Sequence, residues 1–165
     1  MITAAKLAKK CGLDRREMQF LGDKGVLESI EGTGPGTDAP RMFEDTEIEI
    51  ARILARAPKM SANNLSNVAH ALRQFRQASY DRAGRPRKQK DAWQRALDRK
   101  KVVLGIVLER HPNQTDVDLP TVYAISTNVE AGRFVFETLK GKPQNKTAFV
   151  VDLTDALDYD RNPYD

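Results

Sequence analysis

Apolar residues in the first half of the chain recur every three or four positions, and from residue 102 the period shortens to that of strands. Ala4 to Lys10 reads as a helix with Thr3 placed to cap it, and Gly12 interrupts it. Asp14-Arg15-Arg16-Glu17 is a capping-box pattern that opens a second helix through about Asp23, which Gly25 is suited to end. Leu7, Leu13, Met18, Leu21 and Val26 form the small core this pair would share. Leu27 to Ile30 predicts a short strand, Gly32 to Gly36 a flexible tip, and Arg41-Met42-Phe43 a returning strand. Asp45 is placed to cap a third helix through Ala57, with Ile50, Ile53, Leu54 and Ala57 as its apolar face and Pro58 as its stop.

Residues 61–80 predict a fourth helix, in which Leu65, Val68, Leu72 and Phe75 make a short heptad-like seam. Such a seam serves either a dimer or the body of the same chain, and two heptads do not decide; a homodimer through this seam is the expectation. Gly84 to Arg87 breaks the helix, and Lys88 to Lys101 is helical again, with Trp93 and Leu97 on one face. Val102 to Leu108 is an apolar, β-branched run that predicts a buried strand. Thr121 to Ser126 and Thr147 to Leu153 predict two more, with a helix over Val129 to Leu139 between them. The fold class expected is α+β. It comprises an N-terminal winged helix-turn-helix over residues 1–57, central helices over 58–101 and a small α+β unit with an acidic tail over 102–165.

The distribution of charge is more informative than the composition. The net charge is +4, yet residues 1–57 sum to −1, residues 73–101 to +8 and residues 152–165 to −4. A basic middle predicts an anionic partner. Arg82, Arg85, Arg87 and Lys88 would give phosphate contacts without specificity, and the acidic tail would compete for them. One cysteine excludes an internal disulfide, and with only His70 and His111 it argues against a zinc site. Cys11 reads as a small buried residue rather than a sensor thiol. Neither a phosphate-binding loop nor a Ser-His-Asp order is present, so no catalytic residue, metal or cofactor is expected. Asp152, Asp155 and Asp158 read as a solvated acidic face. The absence of a long apolar run and of a signal-peptide pattern predicts a cytoplasmic chain with no membrane partner.

Residues 3–54 resemble the MerR-like winged helix-turn-helix domain. Ala5 to Asp14 looks like that family's first helix and turn, Arg16 to Leu27 like its Arg-Thr-Leu-Arg-Tyr-Tyr-Glu-x-x-Gly-Leu-Leu, and Pro40-Arg41-Met42-Phe43 like the end of its wing. Gln19, Leu21 and Gly22 depart from the pattern, and the wing loop is longer and richer in glycine. The resemblance implies a recognition helix in the major groove of double-stranded DNA, a homodimer on a two-fold site and distortion of the duplex. Within it, Arg16 and Gln19 share a face for base edges, and Phe20 lies beside them. Arg15 and Lys24 suit phosphates, and Arg41 suits the backbone or minor groove. The function expected is a transcriptional regulator. The alternative is a phage or mobile-element interaction protein in excision, packaging or antagonism that uses the winged helix as an adaptor. In either case the C-terminal unit is available to a protein partner.

Overall fold

The chain begins with two capped helices. A computed structural model describes residues 1–78, 92–110, 118–125, 133–135, 137–138, 140 and 146–158. Helix α1 (Ala4–Cys11) starts where the Thr3 hydroxyl accepts from the Lys6 amide at 3.4 Å, and it ends on Gly12 in the left-handed conformation at φ 68°. Helix α2 (Arg15–Asp23) carries both halves of the capping box. The Glu17 amide donates to Asp14 Oδ1 at 2.8 Å, and the Asp14 amide donates to Glu17 Oε2 at 2.9 Å. Past its end, the Gly25 amide reaches Gly22 O at 3.2 Å and the Val26 amide reaches Leu21 O at 2.9 Å. Leu7, Met18, Leu21 and Val26 are buried between the two helices and their surroundings, with Leu13 packed at the edge.

Strand β1 (Ile2–Thr3) pairs antiparallel with β2 (Met42–Phe43). The expected hairpin is thereby reduced: Ser29 bridges Phe43, and the Ile30 amide donates to Met42 O at 2.8 Å, but the main partner of the returning strand is the chain start. The glycine-rich connection is tied rather than loose. Thr33 Oγ1 donates to Ile30 O at 2.7 Å and accepts from the Met42 amide at 3.0 Å, while the Gly34 amide reaches Ala39 O at 3.0 Å.

Helix α3 (Asp45–Leu54) is the centre of the molecule, buried on every side from Glu47 to Leu54. Asp45 is its first residue rather than its cap. Glu44 holds the cap position without a side-chain bond, and Asp45 instead pairs with the Met1 amine at 3.1 Å. The chain turns on through Ala57 to Pro58. Helix α4 (Ala62–Gln77) follows, capped by Ser61. Its seam is spent inside the chain: Val68 and Leu72 are fully buried, and Leu65 and Phe75 pack against the same core. This corrects the dimer assignment at the centre of the seam, because Val68 and Leu72 are already covered within the chain, while Leu65 and Phe75 remain half-buried at its ends. Helix α5 (Ala92–Leu97) lays Trp93 against Phe75, with ring centroids 6.4 Å apart.

Strands β3 (Val103–Arg110), β4 (Asp118–Ile125) and β5 (Lys146–Asp152) form an antiparallel sheet of order β4-β3-β5. In it Ile106 stands between Val122 and Phe149. Central β3 is buried on both faces, as its unbroken apolar run requires. Gly105 is needed there, since any Cβ would strike the Phe134 ring, which lies in the helical stretch that includes residues 133–135. Helix α6 (Leu153–Leu157) leaves β5 and packs on α3 and α5. The molecule is α+β, and one core cluster runs from Ile2 to Leu157 through all three segments of the chain. No helix among the described residues is long and apolar enough to cross a membrane.

Candidate nucleic-acid interface

Helix α2 buries Met18 and Leu21 and turns the opposite side to solvent. Arg15, Arg16, Gln19, Phe20, Asp23 and Lys24 are all exposed on it. Arg16 stands at the crest. Gln19 and Arg15 border a groove shared with α1 and the loop at Gly34–Arg41, whereas Arg16 and Phe20 border a second cleft against the end of α3 and the start of α4. The groove is open to solvent and has a volume of about 800 Å³. The side chains of Arg15, Arg16, Gln19 and Lys24 make no hydrogen bond or ion pair among the described residues.

Other arginines are engaged. Arg41 lies across Gly22, where a Cβ would collide with its guanidinium, and its Nη2 donates to Asp23 Oδ1 at 2.7 Å. Its side chain is only 15% exposed. Arg41 is therefore a buckle between the loop and α2, and it also lines the groove. Arg73 forks onto Glu47 at 2.8 and 2.6 Å and donates to Val26 O at 2.9 Å. Burial draws the Arg73 pKa down, but the hydrogen bond and charge of Glu47, with the charge of Glu28, more than offset that and leave it above the usual value. Arg76 meets Glu49 at 2.5 Å, and the same carboxylate oxygen accepts from Trp93 Nε1 at 3.1 Å. Arg52 donates to Asp158 O at 2.8 Å.

These pairs redistribute the surface charge. Residues 4–24 hold six Lys/Arg against three Asp/Glu. Of the three acids, Asp23 is paired with Arg41, while Asp14 and Glu17 accept backbone amides in the capping box and keep their charge. Lys6, Lys9 and Lys10 are exposed on α1 beside them. Glu47 and Glu49, which in sequence look like part of an acidic surface cluster, face inward at 4% and 8% exposure. The negative sum over residues 1–57 thus misstates the charge that the α1–α2 pair presents.

Arg82, Arg85, Arg87 and Lys88 lie outside the described residues, as does His111. The acidic face expected at Asp152, Asp155 and Asp158 is corrected. Asp152 caps α6 and pairs with Lys101, Asp155 pairs with Arg56 at 3.0 Å and Asp158 with Arg99 at 3.7 Å. Part of the tail already meets the C-terminal end of the basic stretch. Cys11 is buried with Sγ 3.8 Å from Ile48 O, and burial pushes its thiol pKa up to about 12. No group of three His, Cys, Asp or Glu side chains among the described residues could hold a metal.

The buckle at Gly22, Asp23 and Arg41 leaves little trace in the sequence. Its one signal is a glycine inside a helix, which costs about 1 kcal/mol against alanine and so asks for a packing reason. Comparison of the chain with known protein families and with curated proteins finds no match.

Proposed function

We propose that the chain binds duplex DNA as a sequence-specific transcriptional regulator, with α2 as the recognition helix of a MerR-like winged helix-turn-helix. The observation that carries this reading is the α2 crest: Arg15, Arg16, Gln19 and Lys24 stand exposed and unengaged while the arginines of α4 are held in ion pairs. Arginine can fork onto guanine and glutamine onto adenine, so Arg16 and Gln19 are the base-reading pair. Arg15, Lys24 and the α1 lysines supply phosphate contacts. The basic stretch at Arg85, Arg87 and Lys88 adds affinity common to all duplexes. A homodimer on a two-fold site belongs to the proposal, and its interface is a surface other than the centre of the α4 seam.

The second reading, an interaction protein, draws on the apolar cleft beside α2, lined by Leu54, Met60 and Leu65 among others. A salt titration of binding to mixed genomic duplex separates the two. The DNA reading predicts log Kd rising linearly with log salt, at about 0.9 per neutralised phosphate. Neutralising Arg85, Arg87 and Lys88 should lower that slope by about one unit for each phosphate they no longer reach. No measurable binding at low salt would favour the interaction protein.

A further inference from the structure

We propose that Phe20 reads the 5-methyl group of a thymine in the major groove, within about two base steps of the base that Arg16 contacts. The inference rests on the reading of α2 as the recognition helix and assigns part of its specificity. Phe20 is 40% exposed, whereas Phe43 and Trp93 are fully buried and Phe75 is packed against the core. It lies one helical turn from Arg16 on one side and from Lys24 on the other, about 6 Å along the axis each way. Both cations are unengaged among the described residues. The ring thus stands between two such cations, with Glu17 held in the capping box and Asp23 paired to Arg41 beside it, and it brings no charge of its own.

The ring has no hydroxyl, so it cannot donate to a phosphate oxygen. Among the four base-pair arrangements, the apolar group presented in the major groove is the thymine methyl. The ring also borders the cleft lined by Leu54, Met60 and Leu65, while two fifths of the residue stays exposed. A protein occupant of that cleft would also bury the ring, but it would then have to accommodate Arg16 and Lys24 beside it. The duplex accommodates all three.

The test begins with a duplex selected by the full chain from a random pool. Each thymine of the selected site is then replaced singly by uracil, which removes the methyl and keeps every hydrogen-bonding group. The wild type is expected to lose about three- to tenfold in affinity at one such position, the range expected for burying one methyl-sized group. Phe20→Ala is expected to show no difference between the two duplexes and to match the wild type on the uracil duplex, while Phe20→Leu retains part of the effect. Circular dichroism and melting verify that each variant is folded. The proposal is overturned if no uracil position matters, if Phe20→Ala keeps the methyl effect, or if it weakens both duplexes equally. Wild-type affinity of Phe20→Ala on the thymine duplex would overturn it too, and would hand the ring to a protein partner. If the wild type enriches no sequence at all, the DNA reading itself fails, a result distinct from the others.

Discussion

At Cys11 the chemistry of one side chain is set by its surroundings. Burial disfavours the thiolate more than Arg52, Arg56 and Lys10 favour it, so the folded pKa stands near 12 against an ordinary 9.0. Between those values the unfolded chain has released a proton that the folded chain still holds. Stability from this group is complete below pH 9 and is lost as pH rises toward 12, by about 1 kcal/mol at pH 10. Alkaline denaturation should show that decrement in the wild type and not in Cys11→Ala. Native Cys11 should also resist alkylation at pH 8 while the unfolded chain reacts, which would place the thiol outside redox sensing. The caps at Thr3 and Asp14 were legible in sequence because each acts on an amide three residues on. Arg41 was not, because its partner Asp23 lies 18 residues away and neither residue announces the other.

Helices α3 and α4 are joined by ion pairs that a sequence pattern cannot display. Glu47 and Glu49 look like solvent-facing acids, and their inward placement depends on Arg73 and Arg76, 26 and 27 residues further on. Removing one member strands the other. Arg73→Ala leaves Glu47, 4% exposed, without its cation, and should destabilise the fold by about 3–5 kcal/mol in urea denaturation. Glu47→Leu combined with Arg73→Met should recover most of that loss, since a buried pair can be exchanged for well-packed apolar groups at little cost. A double variant as unstable as Arg73→Ala would show that the pair contributes by something other than mutual neutralisation. The seam on α4 teaches a related lesson. Helical period identifies the face that must be covered, and it is silent on whether a second copy or the same chain covers it. Strand β3 was easier, because an apolar run without alternation has to be buried on both faces wherever it lies.

Across the whole molecule, the three segments share one core. Helix α3, within the segment read as the DNA-binding unit, packs on α4 and α6 as well as on α1, and its Ile50, Ile53 and Leu54 belong to the common core. A fragment of residues 1–57 should therefore fail to fold alone, and the full chain should melt in a single transition with equal calorimetric and van't Hoff enthalpies. Two separate transitions would contradict a shared core. The main helices, strand β3 and the α+β class were legible in the sequence because each of those periods is local, whereas β1 and α6 were not foreseen and Leu27 to Ile30 makes a single bridge at Ser29 rather than a strand. The union of the three segments was not legible either, since it depends on contacts across as many as 106 residues, such as Arg52 with Asp158. The candidate site divides in the same way. Arg15, Arg16, Gln19 and Lys24 stand exposed where helical spacing put them, whereas the inward placement of Glu47 and Glu49, which removes two acids from the surface, follows from contacts distant in sequence. The decisive measurement for α2 as a recognition helix is selection of duplexes from a random pool, run side by side with the wild type, Arg16→Ala and Gln19→Ala. A defined wild-type site is expected, with each variant losing about 1–3 kcal/mol and its preference at one base position alone. Identical affinities and identical preferences in all three proteins would contradict it.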